Sequence, residues 1–161
     1  MKGVDKTVFF CYNNIMATDK WDKRFLELAK LISTWSKDPS TQCGAVIVRP
    51  DRTILAVGYN GFPKGMKDNP ELYADRETKY SRIVHCEMNA VLNSKQSVEG
   101  CTLYTWPLIS CDRCCVHMIQ AGIKTFVFPS MPKRLYKRWG AAYSKSIEYF
   151  TDAQVKWREI E

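Results

Sequence analysis

His85-Cys86-Glu87, followed after one loop and one strand's length of chain by Cys111-Asp112-Arg113-Cys114, constrains this chain more than any other feature. His85, Cys111 and Cys114 are three metal ligands, and Glu87 is a carboxylate beside them that is not needed as a fourth. A structural zinc site is usually closed by four protein ligands, so one His plus two Cys leaves a position for water. Two thiolates and a neutral imidazole leave the site with about zero formal charge, and such a metal acidifies its water less than an all-His site would. Glu87 makes up that deficit as a base next to the water. The bland alternative, two buried small cysteines and an unrelated satisfied histidine, has to treat the upstream His-x-Glu as coincidence.

The same residues dictate local structure. Residues 85–94 and 111–121 each read as an amphipathic helix, the second ended by Gly122. Cys111 and Cys114 then share a face at i, i+3, and a place in the first turn, where amides are unpaired, favours thiolate over thiol. His85 opens the other helix and Glu87 projects from the same turn. A fold that carries this chemistry must therefore bring two helix starts together.

The rest of the chain supplies a frame for them. Residues 21–35 read as a first helix, with Phe25, Leu28, Ala29 and Ile32 on one face. Residues 43–48 and 53–58 read as a hairpin about Pro50-Asp51-Arg52. Residues 102–106 and 125–128 are further strands, each paired in sequence with a helix, residues 146–150 add a last strand and residues 152–160 a terminal helix. A hairpin followed by strand–helix alternation implies an α/β architecture, a mixed sheet with helices on both faces. Residues 58–84 form one long irregular stretch rich in Gly, Pro, Asn and charge, and a loop of that length in a compact domain usually carries function. A chain of 161 residues suits a single domain, with residues 1–20 as an arm ordered against a neighbouring subunit.

Charge and cysteine content narrow the function classes. The net charge of +7 suits an anionic ligand without saying which. The densest basic stretch, residues 133–139, interleaves Tyr136 and Trp139 with Lys and Arg. That is the pattern of a single-strand binder, and equally of an amphipathic helix with Leu135 and Trp139 facing inward. Seven cysteines without a signal peptide point to a reducing cytoplasm rather than a disulfide scaffold, with Cys11, Cys43, Cys86, Cys101 and Cys115 as packing residues. No stretch approaches the roughly 20 apolar residues of a membrane span.

The His-x-Glu and Cys-x-x-Cys pair follows the zinc nucleobase deaminase pattern. Three further segments resemble the deoxycytidylate (dCMP) deaminase family: Ser36-Lys37-Asp38-Pro39-Ser40-Thr41-Gln42-Cys43-Gly44-Ala45-Val46-Ile47-Val48, Gly58-Tyr59-Asn60-Gly61-Phe62-Pro63, and Thr78-Lys79-Tyr80 running into the His85 helix. The resemblance spans residues 21–128, and small viral and bacterial members match best in size. It implies a cytidine-deaminase-like three-layer fold with a mixed five-stranded sheet, zinc on His85, Cys111 and Cys114, and Glu87 moving protons from water to N3 and to the exocyclic nitrogen of cytosine. It implies conversion of dCMP to dUMP and ammonia, and the Trp35 departure described below adds dCTP to dUTP as a second reaction. The deoxyribose 3′-hydroxyl falls to Asn60, the base to backbone groups at Cys86 and an apolar wall of Trp106 or Ile109, and the phosphate to Ser36, Lys37 or Arg82. A regulatory pocket near Asn60, Gly61 and Arg82, with dCTP and dTTP as effectors, and a homohexamer belong to the same expectation. Two other classes share the metal motif, a tRNA-adenosine or single-stranded-DNA deaminase and a catalytically silent zinc protein. The Ser-Lys-Asp-Pro and Gly-Tyr-Asn-Gly segments argue against the first and Glu87 against the second.

Three positions depart from the family pattern. Cys86 stands where Ala is usual between His and Glu, and Ser110 stands where Pro usually precedes the first ligand cysteine, with Pro107 three residues earlier. Trp35 stands where the family often has an Arg near the substrate phosphate. An indole cannot pair bidentately with phosphate, so Trp35 as a binding residue implies weak discrimination between dCMP and dCTP.

Overall fold

A computed structural model describes residues 20–161. The expected arm and Cys11 lie outside the described residues. The chain runs α1 (Lys20–Ser33), β1 (Gly44–Val48), β2 (Ile54–Tyr59), α2 (Pro70–Ala74), α3 (Arg76–Arg82), α4 (Cys86–Ser94), β3 (Thr102–Trp106), α5 (Asp112–Gln120), β4 (Thr125–Pro129), α6 (Lys133–Asp152) and β5 (Lys156–Ile160).

The strands form one mixed sheet in the order β2-β1-β3-β4-β5. β1 pairs antiparallel with β2 and β3, whereas β3–β4 and β4–β5 are parallel. Because side chains alternate along a strand, β1 serves two cores. Val46 and Val48 pack with Tyr104 and Val127 against Phe25, Leu26 and Ala29 of α1. Ala45 and Ile47 pack with Leu103, Phe126 and Phe128 against α4, α5 and α6 on the other face. The result is the expected three layers. Two glycines allow the helices to approach this closely. A Cβ on Gly44 would stand 2.1 Å from the Ala29 carbonyl of α1, and one on Gly58 would stand 2.4 Å from the Cys86 carbonyl of α4.

The antiparallel register defines the functional end of the sheet. Gly44, at the start of β1, faces Tyr59 at the end of β2 and Trp106 at the end of β3. Cys43, Asn60 and Trp106 are consequently neighbours along one edge.

The C-terminal fifth differs from the sequence expectation. Residues 146–150 are not a strand but the end of α6, and residues 156–160 are β5 rather than a helix. Ser146 and Phe150 are buried at i, i+4, Tyr143 and Ile147 pack against the same core, and this helical spacing runs through α6. Residues 156–160 instead pair with β4, with Trp157 stacked on Phe128 and Arg158 turned to the α1 face. The long stretch 58–84 is likewise less irregular than expected. It holds α2 and α3, and a bridge between Gly61 and Val84 closes it at the base. α1 ends at Ser33, two residues before Trp35.

Candidate active site

Both ligand segments enter their helices through the same local geometry. His85 and Cys111 are the N-cap residues of α4 and α5, with extended backbone at φ −69°, ψ 156° and φ −65°, ψ 161°. An N-cap side chain points back across the open amides of the first turn. Cys111 Sγ accepts from the Cys114 amide at 3.5 Å. His85 Nδ1 lies 3.5 Å from Cys111 Sγ and 3.4 Å from Cys114 Sγ, and the three ligand atoms all fall within 4.8 Å of one another. Bonds of ~2.3 Å to sulfur and ~2.0 Å to nitrogen at a tetrahedral angle put S and N roughly 3.5 Å apart, so the triad fits zinc.

Electrostatics fit a cation at this point as well. Without one, the ligands share protons. The hydrogen bond with Cys111 pushes His85 up to about 9 against its desolvation, and Glu87 and Cys111 add to the rise. The Cys114 contact pulls Cys111 down to about 4, and the same contact with burial drives Cys114 far up. Three lone pairs converge where a single divalent ion would replace those protons.

Glu87 and Cys86 occupy the first turn of α4, both buried. The Cys86 thiol donates to Glu87 Oε2 at 3.3 Å, an interaction that the usual Ala cannot make. The Ser110 carbonyl, just before the first ligand cysteine, accepts from Ser146 Oγ at 2.8 Å and Cys115 Sγ at 3.2 Å. α6 thereby fixes the approach to Cys111, and Cys115 is a packing residue as expected.

A cavity of about 90 Å³ opens onto this cluster. Of the sequence-predicted residues, Asn60, His85, Cys86, Glu87, Trp106, Ile109 and Cys111 line it. Asn60 is 5% exposed and pins the loops around it. Its Nδ2 donates to the Thr41 carbonyl at 2.9 Å and to Asp38 at 3.4 Å, and its Oδ1 accepts from the Cys43 amide at 2.7 Å.

The other predicted residues stand outside this lining. Ser36 is buried and donates to the Asn60 carbonyl at 2.8 Å, so it braces the wall from behind. Lys37 pairs with Asp68 at 2.8 Å on the surface. Arg82 closes α3, and Gly61 makes the bridge to Val84. Trp35 is 53% exposed and meets Tyr59 edge-on, with ring centroids 6.1 Å apart.

Sequence reasoning missed a buried ion pair and a group from α6. Lys79 Nζ lies 3.2 Å from Asp38 Oδ1 and donates to Ser40 Oγ at 3.0 Å. Both charged side chains are 6% exposed and line the cavity. Tyr80, Arg138 and Trp139 complete the rim. The signals were present in Lys79-Tyr80 of the 78–80 segment and in the basic, aromatic stretch 133–139, but nothing local says that these two stretches meet.

Comparison with known proteins agrees with this geometry. The sequence profile of the cytidine and deoxycytidylate deaminase zinc-binding region matches residues 19–130. The chain is 39% identical over 144 residues to an uncharacterized deaminase in the luxG 3′ region of Aliivibrio fischeri, covering 88% of this chain and 96% of that one. It is 42% identical over 146 residues to a probable deoxycytidylate deaminase of Caenorhabditis elegans, covering 88% of this chain and 70% of that one. Among solved structures, the dCMP deaminase of cyanophage S-TIM5 in apo form superposes with a TM-score of 0.65 at 22% identity, covering 89% of this chain and 99% of that one, which is a likeness of fold. With a metal triad on two helix starts and this match over most of its length, the chain belongs to the cytidine and deoxycytidylate deaminase zinc-binding family.

Proposed function

We propose that the protein is a zinc-dependent hydrolase that deaminates a free deoxycytidine nucleotide, dCMP to dUMP and ammonia, with dCTP to dUTP as a second reaction. The observation that carries this reading is a buried carboxylate, Glu87, two residues after the cluster's His85 at the start of α4 and lining the same cavity as His85 and Cys111. The names of its relatives support it, among them the deoxycytidylate deaminase of mouse, 38% identical over 117 residues that cover 69% of this chain and 65% of that one.

Zinc on His85, Cys111 and Cys114 supplies, when bound, the Lewis acid that lowers the pKa of a water in the fourth position. Glu87 takes a proton from that water and delivers it to N3, which makes C4 of the ring electrophilic. Once the water oxygen has bonded to C4, Glu87 takes its remaining proton and passes it to the exocyclic nitrogen, so the C4–N bond breaks with ammonia as the leaving group and C4 keeps the oxygen as a carbonyl. Trp106 and Ile109 form the apolar wall for the ring, and backbone groups at Cys86 meet its polar edge. Asn60 has committed both donors, but its Oδ1 keeps a second lone pair for the 3′-hydroxyl of the sugar.

The reading is tested with Glu87→Gln, assayed by ammonia release. Zinc content and nucleotide binding should persist while kcat falls by at least the roughly 10²–10⁴ of one general acid–base group. Near-normal turnover would remove Glu87 from the mechanism.

We also read the protein as a symmetric homo-oligomer, a hexamer by analogy with the family, working in a reducing cytoplasm. Trp35 and Tyr59 form an exposed aromatic pair at the end of the edge strand β2, Ile54 is exposed at the other end of that strand, and Leu92 on α4 is 63% exposed, which give apolar surface for a partner. A monomer in light scattering at micromolar concentration would reject this. No helix among the described residues is long and apolar enough to cross a membrane. Regulation by dCTP and dTTP is assigned to the loop at Asn60, Gly61 and Arg82, whose bridge to Val84 leads directly into His85, and effector-independent hyperbolic kinetics would count against it.

A further inference from the structure

A glutamate that carries protons has to hold its carboxylate in one orientation, and its side-chain torsions work against that. Glu87 is 4% exposed and lines the cavity beside His85 and Cys111. Among the described residues a single group donates a hydrogen bond to its side chain, the Cys86 thiol, 3.3 Å from Oε2. The other oxygen, Oε1, receives none from them, and it is not sealed inside the protein but opens on the cavity. One oxygen is thus tied and the other is left free for chemistry.

The donor is held as firmly as the acceptor needs. Cys86 and Glu87 open α4, and the helix lies on β2 at that turn, where a Cβ on Gly58 would stand 2.4 Å from the Cys86 carbonyl. Cys86 is 3% exposed and belongs to the core cluster that contains Ala45, Leu103 and Cys115. Cys43, two residues before Ala45 and so on the same face of its strand, packs against that cluster and lines the cavity as well. With its backbone against β2 and its side chain in the core, the thiol has little freedom to swing away from the carboxylate. Position 86 is also where the family usually has Ala, which fits the same helix turn but offers no donor.

We infer that Cys86 is a positioning residue for the proton transfers, its thiol holding Oε2 so that Oε1 faces the metal cluster and the pyrimidine ring. The inference rests on the deaminase reading above and adds to it a side chain that acts only through Glu87. The thiol neither gains nor loses a proton in the reaction. A donor fixed before the substrate arrives requires no reorganisation when protons move, so its contribution belongs to the chemical step and not to nucleotide binding.

The test compares zinc-loaded wild type with Cys86→Ala and Cys86→Ser. Zinc content, kcat and KM for dCMP by ammonia release, and calorimetric affinity for dUMP are measured for each. A fourth measurement is the affinity for the 2-pyrimidinone analogue of dCMP, in which hydrogen replaces the amino group. Water can add across N3 and C4 of that ring, oxygen to C4 and a proton to N3, but nothing can leave, so its affinity reads the oriented carboxylate without turnover. Cys86→Ala should keep its zinc and hold KM and dUMP affinity within about twofold, because ground-state binding is untouched. Its kcat and its pyrimidinone affinity should each fall about 3- to 10-fold, the range of one modest hydrogen bond. Cys86→Ser keeps a donor and should stay nearer to wild type in both. In a Glu87→Ala background, Cys86→Ala should change pyrimidinone affinity no further, since the thiol has no other partner to act through.

Unchanged kcat and pyrimidinone affinity in Cys86→Ala overturns the positioning role. So does a loss shared equally by Cys86→Ser, or one that takes zinc or dUMP affinity down with it, which is what a packing residue would give. In each of these cases ammonia release by the wild type leaves the deaminase reading standing. A zinc-loaded wild type that neither releases ammonia from dCMP or dCTP nor binds the pyrimidinone overturns both.

Discussion

Trp35 shows how a residue-level departure from a family pattern can mislead. From sequence it stands where a phosphate-binding Arg is common, and its indole implies relaxed phosphate discrimination. In the fold it sits two residues past the end of α1, 53% exposed and against Tyr59, and the cavity does not reach it. Trp35→Arg should therefore leave the ratio of kcat/KM for dCMP and dCTP within about twofold, as for a surface substitution far from the chemistry. A tenfold gain for dCMP in a folded, zinc-loaded variant would return Trp35 to the binding site. Cys86 is the opposite case. In the fold its thiol donates to Glu87, the carboxylate proposed above to move the protons.

At the scale of elements, the position of α4 decides whether the site exists. The helix carries His85 at its cap and Glu87 in its first turn, and it lies on β2 so closely that Gly58 has backbone atoms of Cys86 and Ala90 where a Cβ would be. Gly58→Ala forces the helix away from the sheet at the turn that holds Glu87, the proposed proton carrier. Overpacking of this kind costs about 1–3 kcal/mol. Urea denaturation should show that loss, and kcat should fall with it, because a displacement of a fraction of an ångström misaligns Glu87 with the metal cluster. Unchanged stability and kcat would mean that α4 has slack which the structure does not show.

Among the described residues, a buried network joins the first helix to the last strand. Asp22 in α1 is 1% exposed, accepts two hydrogen bonds from the Arg158 guanidinium of β5 at 2.7 and 2.8 Å, and accepts a third from the Tyr104 hydroxyl of β3 at 2.8 Å. Residues 136 apart in sequence are thus joined through the middle of the sheet. Asp22→Ala leaves a largely buried guanidinium without its counter-charge, which typically costs 3–5 kcal/mol, measurable as a shift in the denaturant midpoint. A shift below about 1 kcal/mol would show that Arg158 finds water or another acceptor instead. The network also explains the late elements: β5 is a strand because β4 offers it a parallel partner and Asp22 receives its inner guanidinium.

The chemistry of this protein is local in sequence, which is why the sequence by itself determined it. His85, Glu87, Cys111 and Cys114 lie in two helical first turns, and N-cap geometry and i, i+3 spacing operate within a few residues. The hairpin, the two ligand helices and the strand before each of α5 and α6 were legible for the same reason, being set by hydrophobic period and turn residues. The C-terminal exchange of strand and helix was not, because short windows such as 146–150 and 156–160 satisfy either period until the partner is known. Lys79 and Asp38, 41 residues apart, likewise show no sign in sequence of being buried together. The rim is the clearest instance. Arg138 reads equally as part of a solvated basic helix, and only the packing of α6 beside α3 brings it to the Tyr80 hydroxyl at the edge of the cavity.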